Sequence, residues 1–226
     1  FTSNDSSYCM PEHRYSEYLQ TIKELKQNYG SQLAIYVGLE MDYYSEMSDL
    51  PFDYLIAAVH YIIKDGVSYP IDHSPEQQLD CIQNAFNGDV FAMTQFYYDI
   101  LCEHVERIKP TYVGHFDVIT KFSLMPEDDV RYREIAGNAL RRILKTCPYI
   151  EVNTGAIARG WRKAPYPADY LLQILLEEGG KPVLGSDSHD KNNLIFDFDE
   201  TVDLLRTLGY KHVYMFNGSG FDSCEI

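Results

Sequence analysis

The chain has 226 residues, with 19 Lys and Arg against 34 Asp and Glu, for a formal net charge of −15 with histidine neutral. So acidic a chain lacks the basic footprint that a duplex-tracking nucleic-acid binder uses to displace counterions, and no nucleic-acid partner is expected. Hydrophobic residues at 45% and aromatic residues at 14% suffice for a folded core and exclude intrinsic disorder.

The longest apolar run, Leu55 to Ile63, is interrupted by His60. It falls far short of the roughly 20 residues a membrane span requires, so no membrane partner is expected either. The start shows no secretory leader pattern. Cys9, Cys81, Cys102, Cys147 and Cys224 are odd in number and free of CxxC spacing, which predicts reduced thiols in a cytoplasmic protein. The 19 tyrosines are expected to form partly buried walls. Phe1 is not a translation start, and something is expected upstream of it in the gene.

In chain order, the i, i+3, i+4 spacing of Tyr15, Tyr18, Leu19, Ile22 and Leu25 predicts a helix from Pro11 to Tyr29, stopped by Gly30. Leu33 to Glu40 reads as a buried strand, and Tyr54 to His60 as a second. Ser74, Pro75 and Gln77 supply a cap, a first-turn proline and a capping-box partner, so a helix is predicted from Ser74 to Phe86. Val90 to Lys109 follows as a helix ended by Pro110. Strands are then predicted at Thr111 to Phe116, Tyr149 to Asn153, Pro182 to Ser186 and His212 to Phe216. The helices between them run from Asp129 to Thr146, Ala168 to Glu178 and Asp199 to Leu208. Strand followed by helix, repeated this often without an internal linker, argues for one parallel α/β domain over residues 1–226, a barrel rather than an open sheet.

Metal-competent residues collect at the ends of those strands. Glu40 ends the first, His60 the second, His115 nearly the third, Glu151 and Asn153 the fourth, while Asp187 and His189 follow the fifth. In a parallel barrel the C-terminal ends of all strands open into one mouth, so these residues converge. A carboxylate with several imidazoles suits Zn, Mn or Fe. Singly, each has a plainer role: a histidine at a strand end is more often a hydrogen-bonded structural group, Glu40 could pair with an arginine, and Asp187 could cap the next segment. Taken jointly they favour a metal site. His13, His73, His104 and His212 lack this placement and read as structural or solvent-exposed.

A second group lies just after the fourth of these strands. Arg159, Arg162 and Lys163 put three cations within five positions beside a glycine-bearing loop. The planar fork of arginine matches phosphate oxygens, which points to a phosphorylated small-molecule substrate, with a solvated basic loop as the alternative. Trp161 could cover the substrate or sit on a rim or in the core.

These residues stand in a recognisable order. Gly38-Leu39-Glu40-Met41-Asp42-Tyr43, Val59-His60, Gly114-His115-Phe116-Asp117 followed by Lys121-Phe122, Glu151-Val152-Asn153-Thr154-Gly155 with an arginine and Tyr166-Pro167 beyond, and Gly185-Ser186-Asp187-Ser188-His189 resemble the polymerase-and-histidinol-phosphatase superfamily, and its histidinol-phosphatase branch above all. The resemblance runs from Tyr15 to Asn217. It implies a distorted parallel (β/α)7 TIM-like barrel with up to three divalent metals at its mouth. Glu40 would bridge two ions, His60 and His115 would complete one site, Asp187 would serve the other member of the pair, and His189 the third. Arg159, with Arg162 and Asn153, would hold the phosphate, with Arg159, Asp187 and His189 acting in catalysis. The implied reaction is hydrolysis of L-histidinol phosphate, a late step of histidine biosynthesis. Members also carry a His-x-His on the first strand and an Asp-His after the second; neither stands ahead of Glu40 here. The resemblance therefore implies an absent N-terminal segment of about 35 to 40 residues and an incomplete metal cluster without it.

The mechanism expected is attack of a metal-activated water on phosphorus, with Arg159 neutralising the equatorial oxygens. The leaving alcohol would take a proton from His189 or from a water on a metal. Two other classes stay open: a phosphoesterase acting on nucleotides or nucleic acid, and a catalytically incomplete, non-enzymatic fragment. Nothing in the sequence sets the oligomeric state.

Overall fold

In the computed structural model, which describes residues 9–46 and 51–226, the alternation of the sequence becomes a mainly parallel sheet with helices packed against it. The expectation drawn from the first residues, Phe1 onward, lies outside the described residues. The sheet contains β1 (Gly38–Asp42), β2 (Tyr54–Ala58), β5 (Tyr112–Val113), β6 (Tyr149–Asn153), β7 (Lys181–Gly185), β8 (His212–Phe216) and β9 (Phe221–Glu225), in that spatial order. Every neighbouring pair from β1 to β8 is parallel, and only β9 returns antiparallel. This is the arc expected of a distorted barrel, with β1 and β9 as its edges among the described residues.

The helices are α1 (Tyr15–Tyr29), α2 (Pro75–Asp80), α3 (Val90–Ile108), α4 (Val130–Leu144), α5 (Gly155–Ala158), α6 (Asp169–Glu177) and α7 (Phe198–Leu208). Three of these helices start on a side-chain cap. Ser74 Oγ accepts from the Gln77 amide at 3.3 Å, with Pro75 in the first turn. Asp89 caps α3, and Asp129 caps α4. Helix α3 packs on α4, and α4 on α6, so the core runs between this helical layer and the sheet. Met93, Leu101, Val105, Leu140, Ile143, Leu171 and Leu175 are all buried there. No helix among the described residues is long and apolar enough to cross a membrane.

The structure departs from the sequence expectations in five places. The strand predicted from Leu33 to Glu40 forms only over Gly38–Asp42, with Leu33 exposed. A hairpin of β3 (Tyr61–Lys64) and β4 (Val67–Pro70) interrupts the chain after His60. Its turn is Asp65-Gly66, both at positive φ, a two-residue signal for a hairpin that the sequence carries openly. The predicted strand Thr111 to Phe116 shrinks to Tyr112–Val113, because the His115 amide donates to the Glu151 carboxylate at 2.9 Å instead of joining a ladder. Helix α2 runs on as a π-turn over Cys81–Ala85. Finally, Tyr97, Tyr98 and Tyr132 lie wholly in the core rather than in partly buried walls. Their hydroxyls remain satisfied there: Tyr97 donates to the Phe116 carbonyl at 2.9 Å, and Tyr98 and Tyr132 share a hydrogen bond of 3.0 Å.

Candidate metal centre and phosphate pocket

The C-terminal ends of β1, β2, β5, β6 and β7 surround a pocket of about 970 Å³. Glu40, His60 and His115 meet in it. Glu40 Oε1 lies 2.8 Å from His115 Nε2 and 3.1 Å from His60 Nε2. Residues 75 positions apart are thus joined because parallel strands deliver their ends to one side. The ligand atoms of the three residues lie within 4.8 Å of one another. Two imidazole nitrogens and one carboxylate oxygen converging on a point is a donor set that fits Zn, Mn or Fe.

The surroundings of the three donors support the same fit. His60 Nδ1 faces Asp42 Oδ2 at 3.4 Å, and the same carboxylate oxygen accepts from the His60 backbone amide at 2.7 Å. A carboxylate behind an imidazole fixes ring orientation and raises its basicity as a ligand. Burial opposes the charge on His60, but Glu40 and Asp42 outweigh it and hold the ring well above the usual histidine range. Burial likewise opposes Glu40, yet the two rings keep its carboxyl well below the carboxylate range.

Glu151 stands behind this group. It is buried, accepts from the His115 amide and, at 2.9 Å, from Asn153 Nδ2. Burial raises its pKa, against the pull of His115. Gly185 makes room for it, since a Cβ there would lie 2.0 Å from Glu151 Oε1. Gly185→Ala is therefore expected to destabilise the fold by about 1–3 kcal/mol, the usual cost of overpacking. Thermal unfolding should show a drop of several degrees; an unchanged midpoint rejects this account of the glycine.

Asp187, His189 and Arg159 line the same pocket. Arg159 Nη2 donates to Asp187 Oδ2 at 3.0 Å, and Nη1 to the Asp187 carbonyl at 3.1 Å. Asp187 Oδ1 lies 3.4 Å from Nε2 of the largely exposed His189. Neither Asp187 nor His189 belongs to the convergent trio among the described residues.

Two sequence expectations are corrected by placement. Asn153 is fully buried, and both ends of its amide are in use: Nδ2 on Glu151 and Oδ1 accepting from Gly155 N at 2.8 Å. Its amide is thus committed to Glu151 and Gly155, and it does not line the pocket. Arg162 is also turned away, its guanidinium on Thr120 and, at 3.3 Å, on Glu127, over the Tyr166 ring. Buried Asp117, its carboxyl pushed up to about 6 by desolvation against the pull of Arg162, completes that cluster. Trp161 is exposed at 46% and packs edge-to-face on Phe122, a rim position.

The sequence gives no site role to Asp42, Asp72 or Lys121 and reads His73 as structural or solvent-exposed; all four lie in the pocket wall. Lys121 donates to the Asp72 carbonyl, and burial lowers its pKa. Asp42 had a visible signal, standing two residues from Glu40 and so on the same face of β1. His104, read as structural or solvent-exposed, is wholly buried.

No family model matches the chain. It is 30% identical over 194 residues to a Schizosaccharomyces pombe protein named "Probable histidinol-phosphatase", covering 77% of this chain and 60% of that one. The chain thus spans three fifths of that relative's length. A Deinococcus radiodurans protein of the same name is 26% identical over 220 residues, covering 92% of this chain and 78% of its own. Among solved structures, the histidinol phosphate phosphatase of Lactococcus lactis, complexed with zinc, L-histidinol and phosphate, superposes with a TM-score of 0.64 at 21% identity. That match covers 92% of this chain and 79% of the other.

Proposed function

From the premise that the chain is related in sequence to histidinol-phosphatases and shares their barrel fold, we propose that it is a metal-dependent phosphomonoesterase hydrolysing L-histidinol phosphate to L-histidinol and phosphate. The observation that carries this reading is the convergence of Glu40, His60 and His115 in a pocket that Arg159 also lines.

Bound there, a divalent metal would supply a Lewis acid and make water nucleophilic near neutral pH. The chain's own residues do the rest. Glu40, His60 and His115 hold the ion, with Asp42 and Glu151 fixing His60 and His115 from behind. Arg159 and Lys121 supply the positive charge that orients the phosphoryl group and offsets charge gathering on its oxygens. A water oxygen bonds to phosphorus as the bond to the ester oxygen breaks, and the departing alcohol needs a proton. His189, exposed at the mouth with Nε2 facing Asp187, donates it. Asp72 and Asp187 keep the pocket hospitable to a substrate that also carries an ammonium group. The reading places the chain in the cytoplasm, a location that the absence of a disulfide at Cys81, Cys102, Cys147 and Cys224 supports.

The test compares phosphate release from histidinol phosphate, nucleoside monophosphates and single-stranded DNA by the purified protein loaded with Mn or Zn. Release from histidinol phosphate alone is expected. Preference for either nucleotide substrate rejects the substrate, and release from none rejects the enzyme.

A further inference from the structure

We infer that His104, near the C-terminal end of the longest helix among the described residues, is a positioning residue for the metal centre, acting through the backbone of β1 without touching the ion. The inference rests on the metal-dependent reading above. His104 is fully buried on α3, 63 positions from the carbonyl it holds. Its Nε2 lies 2.7 Å from the Met41 carbonyl oxygen, and its Nδ1 lies 3.1 Å from Nη2 of Arg107.

A guanidinium can only donate, so His104 Nδ1 accepts, and the ring proton sits on Nε2, donating to Met41. The arrangement locks one neutral tautomer. Arg107 also donates to the Tyr43 carbonyl and lies over the Tyr43 ring, while the Tyr43 hydroxyl donates to Glu103 at 2.9 Å. Glu103, His104 and Arg107, within about one turn of helix, thus grip Met41 and Tyr43.

The gripped residues interleave with the site. Met41 stands between Glu40, a ligand, and Asp42, which orients His60. The clamp from α3 holds β1 at the place where Glu40 and Asp42 must be kept to a few tenths of an ångström for the metal. A surface histidine or a simple packing residue would need neither the fixed tautomer nor the arginine behind it.

The experiment measures zinc affinity of the purified protein by chelator competition, with thermal unfolding alongside, for His104→Leu, His104→Gln, Arg107→Met and Glu40→Gln. His104→Leu keeps the packing and removes the donor; zinc affinity is expected to fall about 10–100-fold, the range for groups that orient ligands. His104→Gln, whose amide donates at a similar reach, should restore most of it. A His104→Leu protein that melts lower but binds zinc like the parent overturns the inference, as does a folded His104→Gln protein with no recovery. If His104→Leu does not fold, Arg107→Met decides: weaker zinc binding supports the clamp, and unchanged binding rejects it. Glu40→Gln separates the two levels. If it too leaves zinc affinity unchanged, the metal reading itself fails and takes the clamp with it. If it weakens zinc while His104→Leu does not, only the clamp is lost.

Discussion

Glu40→Gln is expected to strip the metal from the His60–His115 site, with affinity falling by more than the roughly 10–100-fold typical of outer-shell changes. Hydrolysis should be lost in parallel. Glutamine keeps the shape and one oxygen but removes the negative charge that lies 2.8 Å and 3.1 Å from the two imidazoles. In the metal-free protein that charge raises the pKa of both rings against the effect of burial. A metal must displace those protons, so binding should tighten with rising pH and release up to two protons. In the glutamine variant the rings lose this partner, and residual binding should depend on a lower pH range. Calorimetry in buffers of different ionisation enthalpy counts the protons directly. Metal content and proton release identical to the parent would reject the site.

The same cluster sets a pH window for the metal-free fold. Glu40, depressed on folding, contributes stability present above its unfolded value of about 4.5 and lost as pH falls through the folded value. His60 and His115, raised on folding, contribute stability fully present below an unfolded value of about 6.5 and lost as pH rises through their folded values. The trio therefore stabilises the apoprotein most between those two unfolded values, and metal extends that stability to higher pH.

Arg159→Ala is expected to raise KM for the phosphomonoester and to weaken inhibition by free phosphate. Each should change by about 10–100-fold, as the loss of charge-assisted hydrogen bonds of 1.5–3 kcal/mol requires. In the structure the Arg159 fork grips Asp187 at two oxygens, so substrate must share or displace that partner. Arg159→Lys keeps the charge without the fork and should recover only part of the loss. If Arg159 served merely to hold Asp187, metal affinity would change and phosphate inhibition would not. That outcome would remove Arg159 from substrate binding.

Much of the scaffold was legible because periodicity and caps are local. Ser74-Pro75, Asp89 and Asp129 start helices where the sequence implies, and the core strands fall where short apolar runs lie. The Asp65-Gly66 hairpin turn is equally local, a two-residue signal present in the sequence. The short β5 strand was not legible: its ladder yields to a carboxylate 36 positions away.

The sequence by itself determined that strands and helices alternate and that His60, His115, Asp187 and His189 stand just after strand ends, since both properties depend on residues a few positions apart; Glu40, expected at a strand end, stands in the middle of β1. Only the tertiary structure decided which of them share one point in space. Arg162 and Asn153 have the right chemistry for phosphate, but a fork committed to Thr120 and Glu127 and an amide committed to Glu151 and Gly155 cannot also face a substrate. Asp42 and His104 have unremarkable neighbours in sequence, and their partners are set by how strands and a helix cross. Orientation and satisfaction of buried polar groups are properties of the packed chain, because each donor goes to whichever acceptor folding brings near.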